Sequence, residues 1–336
     1  MDLVLIIALL LVGLVLIIKG GDYFVDGASW LAEVSGIPKF IVGATIVSVA
    51  TTLPEIVVSL ISAKGQPDMA IGNAVGSVVF NSGVIMAIAL IAQPFVIKRK
   101  DYAFKGILLT SVMALLFFFS FNKLSIGNPD KIFSPETTSV FGYIGSAVLL
   151  ILFIVFIVEN VISAKKAASS SEDDDKPVAT KKSVTVNLLK LILGAAAIAI
   201  GAVLLKDNAV KIAQLAGLSE ALIGVTILAI GTSLPELVTM IIAVKKGEAS
   251  LSIGNIIGAN TIDLAIILPL SAFIAGGQGL PVGHEHLLLT MPVTLGIIAI
   301  GIIPTLVFKK FARWQGITMF TVYFAYFVFN IVYAIV

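Results

Sequence analysis

The 336-residue chain contains no cysteine, which excludes disulfides, thiolate metal sites and cysteine nucleophiles. Its two histidines, His284 and His286, sit together in the segment "GGQGLPVGHEH". An exposed loop is a simpler reading of that pair than a metal or pH sensor. Charge is scarce as well: 12% of residues are charged, against about 25% in an ordinary soluble chain. The net charge of +2 is too small to imply a nucleic-acid partner.

What fills the chain is apolar sequence, 58% of it, with a mean hydropathy of +1.09. Runs of about 18 or more apolar residues recur, each enough to cross a hydrocarbon core about 30 Å thick. Ten candidate spans fall near 2–19, 37–63, 70–93, 103–121, 139–162, 184–206, 220–244, 250–274, 287–308 and 315–335. The first, "LVLIIALLLVGLVLII", has no small-residue cleavage site after it and reads as a retained helix. Placing both termini outside puts most Lys and Arg, among them Lys98, Arg99, Lys165, Lys181, Lys245, Lys309 and Arg313, in or beside cytoplasmic loops, as the positive-inside rule requires. A multi-pass protein of the cell membrane is expected, with the lipid bilayer as its surroundings and no obligatory protein partner. Trp314 and the tyrosines of the last span are expected to anchor helix ends at the interface.

The most polar stretch, "KKAASSSEDDDKPVATKKS" at 165–183, has the composition of a cytoplasmic tether. Its acidic run, Glu172 to Asp175, lacks the alternating ligands and turn glycine of a calcium loop. On either side of the tether the chain repeats itself. "GATIVSVATTLPEIVVSLISAK" (43–64) aligns without gaps on "GVTILAIGTSLPELVTMIIAVK" (224–245), and "IGNAVGSVVFN" (71–81) on "IGNIIGANTID" (253–263). Each copy holds five spans, an odd number, so the copies must lie upside down relative to one another. The expected fold is therefore an all-α integral membrane protein of ten transmembrane helices in two inverted repeats, 1–164 and 184–336. Secondary transporters recurrently use this plan, with their sites at the repeat interface near the bilayer midplane.

The stretch "ATTLPE", with Thr52 and Glu55 three apart, looks like the capping box of a soluble helix, yet it lies deep in apolar sequence. Its duplication as "GTSLPE" explains it. Pro54 and Pro235 cannot donate backbone hydrogen bonds, and each displaces the carbonyl four residues back, at Ala50 and Gly231. Both spans are expected to break there and expose carbonyl oxygens, which is tolerated at that depth only inside protein or beside a wet cavity. Glu55 and Glu236 stand next to the breaks, with Thr51 and Thr232 one helical turn before them and Thr52 and Ser233 adjacent. In the following spans Asn73, Ser77 and Asn81, and likewise Asn255, Ala259 and Asp263, each line one helix face. Carboxylates, hydroxyls and carbonyls are hard oxygen donors that suit Ca²⁺ and similar cations. Of the 20 acidic residues only Glu55, Glu236 and Asp263 fall well inside the spans, and no basic residue is expected there. Three unpaired acids at such depth call for a cation load, and intramembrane acids usually mark ion pathways.

The two blocks "G-x-T…T-x-L-P-E…G-N-x-x-G" resemble the alpha repeats of the cation/Ca²⁺ exchanger superfamily, and their spacing resembles its prokaryotic Na⁺/Ca²⁺ exchanger branch. The likeness is specific over 43–85 and 224–267 and extends as a ten-span layout over nearly the whole chain. It implies antiport of Na⁺ against Ca²⁺ by alternating access, with these ions as substrates and no cofactor, and the first and sixth spans as sliding elements. It also implies a site in which Glu55 and Glu236 bind Ca²⁺ with Thr51 and Thr232. Thr52, Ser77, Asn81, Ser233 and Asp263 would form the flanking Na⁺ positions with the backbone oxygens of Ser48 and Ala229. Two positions depart from close relatives: Ala259 stands where they have Ser, and Thr52 replaces a Ser; Gly76 and Gly258 stand where proton-coupled relatives typically carry Glu, so the signature of those relatives is absent. An H⁺/Ca²⁺ or other divalent antiporter and a cation channel remain as alternatives. A membrane enzyme is the weakest, because no nucleophile–base pair appears on the spans.

Overall fold

The computed structural model describes residues 3–65, 67–121, 139–170, 179–215, 229–283 and 285–335. They are almost entirely helical. In chain order the helices are α1 (Leu3–Ser35), α2 (Lys39–Ala63), α3 (Met69–Ala92), α4 (Arg99–Ser120), α5 (Tyr143–Ser170), α6 (Lys181–Leu215), the single turn α7 (Ala229–Thr232), α8 (Leu234–Lys245), α9 (Ala249–Ala275), α10 (His286–Phe308) and α11 (Arg313–Ile335). Among the described residues, 9 helices are long and apolar enough to cross a membrane. The seventh expected span lies partly outside the described residues, and α7 and α8 are its described part.

The pairing of α1 with α6 shows how the repeats are related. Gly13, Gly20 and Gly27 recur every seven residues on α1 and meet α6 in reverse order. A Cβ on them would lie 2.9 Å from the Gly201 carbonyl oxygen, 2.9 Å from that of Gly194 and 2.8 Å from that of Asn187. The reciprocal contacts are equally close, with a Cβ on Gly194 reaching 2.7 Å from Gly20 O and one on Gly201 2.7 Å from Gly13 O. Only glycine lets two backbones approach so closely, and in a bilayer such close packing replaces the missing hydrophobic drive. The offset that carries Gly43 onto Gly224 also carries Gly13 onto Gly194 and Gly20 onto Gly201. Each contact therefore maps onto the other, which is the self-complementary pattern of a two-fold axis. Because the helices are antiparallel, that axis runs across them, in the plane of the membrane.

Two short ribbons repeat the lesson. β1 (Phe95–Val96), after α3, pairs with β4 (Lys310–Phe311), before α11. β2 (Ser139–Phe141), before α5, pairs with β3 (Leu280–Val282), after the third helix of the second repeat counted the same way, α9. Exchanging the repeats converts one ribbon into the other. α4 separates β1 from β2, so the ribbons close opposite ends of the bundle.

At the centre lie α3 and α9, the most deeply buried of these nine helices. α9 crosses α2 at glycine contacts: a Cβ on Gly254 would meet Phe40 O, and one on Gly258 would lie 2.6 Å from Ala44 O. Among the described residues, four π-helical turns interrupt the α-helices, at Gly43–Val47, Asn81–Met86, Asp263–Ile267 and His286–Thr290. Two of them begin at Asn81 and Asp263, which the repeat alignment makes equivalent, and π turns of this kind are frequent at functional sites.

Several expectations need correction. α5 runs to Ser170 and α6 starts at Lys181, so both ends of the polar 165–183 segment are helical, and its acidic run lies outside the described residues. A basic residue does sit inside the spans: Lys105 on α4 is fully buried, with Nζ 2.7 Å from Glu159 Oε2 on α5. The pair neutralises itself, which is how a lysine can be tolerated there. His286 is half-buried at the head of α10, not in an open loop, with Nε2 3.5 Å from a Cβ built on Gly72. His284 lies outside the described residues. Trp314 is half exposed. Tyr323 and Tyr326 pack inward instead, Tyr323 edge-on to Phe80 and Tyr326 with its hydroxyl 3.2 Å from Thr290 Oγ1, because a buried phenol is tolerated once its hydroxyl has a partner.

Candidate functional site

The two "LPE" segments differ in backbone. In the second repeat the helix stops at Thr232 and restarts at Leu234. Ser233 between them has φ −91° and ψ 12°, and Pro235 occupies the first turn, where its missing N–H costs nothing. In the first repeat the expected break is absent. α2 continues as α-helix from Ser48 to Ala63 with Pro54 inside it. A proline removes one hydrogen bond but keeps a helical φ, and neighbouring helices can hold such a segment in place. Thr52 is therefore no N-cap. It lies mid-helix and reaches across the repeats, its Oγ1 donating to Glu236 Oε1 at 3.4 Å. Ser233 does stand at an N-cap position, yet its hydroxyl makes no capping bond.

The other side chains converge from α2, α3, α8 and α9. Glu55, Glu236, Asp263, Thr51, Thr52, Ser48, Ser77, Asn81 and Ser233 are all buried, none more than 3% exposed. Glu55 lies in the electrostatic field of both Glu236 and Asp263, and Asp263 in that of Glu236. Thr51 Oγ1 donates to Asn255 Oδ1 on α9 at 3.1 Å, and Ser48 Oγ to Thr45 O at 3.0 Å. Asn81 Nδ2 donates to Asn260 Oδ1 at 3.1 Å. Ala229 stands at the head of the broken segment.

The unsatisfied oxygens define the chemistry. Both carboxylate oxygens of Glu55 and of Asp263, Glu236 Oε2, Asn81 Oδ1 and the hydroxyls of Ser77, Thr232 and Ser233 are buried without a hydrogen-bond partner. Burying one acceptor unpaired costs on the order of 1–3 kcal/mol, and more for an ion, so a cluster of them is a receptor for positive charge. Among the described residues no three acids or histidines close on a single point. The buried donors are a carboxylate pair with neutral oxygens around it, a hard and partly neutral set of the kind that suits Ca²⁺ and alkali cations.

Sequence reading missed two members of this environment, Asn260 and Ser82. Asn260 Nδ2 donates to Ser82 Oγ at 2.9 Å. Their repeat equivalents are Val78 and Leu264, so a search for duplicated polar positions passes over both.

Two inverted repeats around buried hard-oxygen ligands define a secondary transporter of cations, and not an enzyme. The chain belongs to the sodium/calcium exchanger protein family, whose pattern it matches over residues 5–161 and 186–332. It is 34% identical over 352 residues to the sodium/calcium exchanger MaX1 of Methanosarcina acetivorans, covering 95% of this chain and 97% of that protein. It is 31% identical to an uncharacterized membrane protein of Methanocaldococcus jannaschii, over 93% of this chain and 94% of that one. Among solved structures, the sodium-calcium exchanger NCX_Mj soaked with 10 mM Na⁺ and zero Ca²⁺ superposes with a TM-score of 0.77 at 28% identity, covering 96% of this chain and 98% of that one.

Proposed function

We propose that this chain exchanges Na⁺ for Ca²⁺ across the membrane through the site between its repeats, with Glu55 and Glu236 holding Ca²⁺ and the surrounding neutral oxygens serving Na⁺. The observation that carries this reading is the set of buried, unpartnered oxygens on Glu55, Glu236, Asp263, Asn81, Ser77, Thr232 and Ser233. Thr51 and Thr52 contribute their hydroxyl lone pairs, and Ser48 and Ala229 their backbone carbonyls. One Ca²⁺ and a small number of Na⁺ compete for one charge-compensating set of ligands, so loading one expels the other. Alternating access then couples their movements. The repeats 1–164 and 184–336 act as the two halves of this machine, and the 165–183 segment joins them on the cytoplasmic side. The distribution of Lys and Arg favours termini outside. The glycine seam between α1 and α6, where the two backbones lie directly against each other, suits these two helices to moving as a unit.

Of the two positions where proton-coupled relatives carry Glu, both glycine here, only 258 is sterically closed to one, since a Cβ on Gly76 would meet nothing within 4 Å. A Cβ on Gly258 would lie 2.5 Å from Ser48 Oγ and 2.6 Å from Ala44 O, so no larger side chain fits without moving α2. Proteoliposomes reconstituted with the purified chain test the reading. Ca²⁺ uptake should follow an outward Na⁺ gradient and stay at background under a pH gradient alone. Uptake driven by pH, or Ca²⁺ flux requiring no counter-ion, would replace it with a proton antiporter or a channel respectively.

A further inference from the structure

Asn81 differs from every charged ligand in the site because its side chain has a wrong face. A carboxylate presents oxygen whichever way it turns, whereas a carboxamide presents either an acceptor oxygen or an NH₂ group that repels a cation. Something must hold it with the oxygen toward the ions. Asn81 Nδ2 donates to Asn260 Oδ1 at 3.1 Å, and Asn260 Nδ2 donates to Ser82 Oγ at 2.9 Å. The three side chains form one directional chain from α3 to α9 and back, with Asn81 and Ser82 at most 1% exposed and Asn260 fully buried. Both ends of the Asn260 amide are engaged within the chain, while Asn81 Oδ1 is left without a partner.

The repeat supplies the control. Asn81 corresponds to Asp263, Asn260 to Val78 and Ser82 to Leu264. Where the ligand is a carboxylate, with no wrong face, the positions that would orient it are apolar. Where it is a carboxamide, both are polar and hydrogen-bonded to one another. Duplication alone would have made these positions alike, and their divergence tracks the chemistry of the residue they serve.

We propose that Asn260, anchored by Ser82, is a positioning residue that fixes the Asn81 carboxamide with its oxygen toward the transported cations. The proposal rests on Asn81 being an ion ligand, as set out under the proposed function. The test is Na⁺-driven Ca²⁺ exchange by the full-length chain in proteoliposomes, measured as KM for each ion and as maximal rate. Asn260→Leu keeps the branched four-atom outline and removes both hydrogen bonds. It should raise the KM for the transported ion served by Asn81 by about tenfold, the equivalent of losing one well-aligned ion–oxygen contact, with a smaller change in maximal rate. In an Asn81→Asp background, where orientation no longer matters, the same substitution should change that KM by less than about twofold, a non-additivity expected only of coupled residues. An equal factor in both backgrounds would show that Asn260 merely packs, and would overturn the proposal. Ser82→Ala leaves α9 untouched and serves if Asn260→Leu does not fold. It should give a smaller KM increase that again vanishes in the Asn81→Asp background, and a persisting increase there would overturn the proposal as well. Asn81→Ala separates this outcome from failure of the underlying reading: if it leaves the KM of both ions unchanged, Asn81 is not a ligand and the site assignment itself falls.

Discussion

Thr52 Oγ1 on the first repeat lies 3.4 Å from Glu236 Oε1 on the second, so a hydroxyl from one half of the molecule steadies a carboxylate of the other. The bond satisfies one oxygen of Glu236 and leaves Oε2 free. Thr52→Ser keeps the donor and should leave Ca²⁺ affinity within about twofold of the parent. Thr52→Val keeps the shape, removes the donor, and should weaken Ca²⁺ binding about tenfold, since a hydrogen bond to a charged group contributes roughly 1.5–3 kcal/mol. Isothermal titration of both variants distinguishes a hydrogen bond that matters from one that only fills space, in which case the two would bind alike.

Glu55 and Glu236 are the two acids that the repeat places at equivalent positions, and both are buried. Glu55→Gln and Glu236→Gln keep the side-chain size but remove a hard anionic ligand. Each should lower Ca²⁺ affinity by about a hundredfold, roughly 2–3 kcal/mol, and reduce exchange to background. Neither should lower the thermal midpoint, because the substitution also relieves an unpaired buried charge. Robust exchange by either variant would remove the paired-glutamate site.

How much of this was legible in the sequence depends on which residues are considered. Glu55, Glu236 and Asp263 could be found because they are acids deep in apolar spans, and Asn81 because the repeat aligns it with Asp263. The inverted topology followed from an odd number of spans, and the reciprocal contacts of Gly13 with Gly201 and Gly20 with Gly194 agree with it. The backbone around the prolines could not be read: nearly identical segments give a break at Ser233 and a continuous helix through Pro54, because the neighbours decide whether a displaced carbonyl opens the helix. Lys105 was missed because its partner Glu159 lies on another helix, and a lone lysine near a span end looks like a loop residue. Asn260 and Ser82 were passed over because they break the repeat, although that departure is what makes them informative.

The seam between α1 and α6 offers a test that does not involve ions. A Cβ on Gly20 would lie 2.8 Å from Ala197 Cβ and 2.9 Å from Gly194 O, both parts of the facing helix that cannot swing aside. Gly20→Val should therefore force the pair apart and destabilise the protein by about 1–3 kcal/mol, the usual cost of overpacking. Gly65→Ala, at a position with no heavy atom within 4 Å of the added Cβ, is the matched control and should leave the thermal midpoint in place. Equal midpoints for the two variants would mean that the helices are not held by this contact.

The last prediction follows from the one acid that breaks the symmetry. Asn81 and Asp263 are equivalent by sequence and each opens a π turn, so the site carries three carboxylates where a symmetric one would carry two or four. Three negative charges match three monovalent cations, while a single Ca²⁺ compensates only two. The third carboxylate therefore contributes more to the Na⁺-loaded state than to the Ca²⁺-loaded one, and Asp263→Asn should weaken Na⁺ competition by about tenfold while changing Ca²⁺ affinity by less than about threefold. Ala259, fully buried on α9, provides the opposite manipulation. It stands opposite Ser77 in the repeat alignment, and Ala259→Ser would restore the hydroxyl that the first repeat keeps. An added neutral oxygen helps a monovalent ion without adding charge, so this variant should strengthen Na⁺ competition against Ca²⁺. Na⁺ inhibition of Ca²⁺ binding, measured in both variants at fixed ionic strength, decides the matter: curves that superpose on the parent in both cases would mean that Asp263 and its neighbour do not serve Na⁺, and that the charge asymmetry has some other origin.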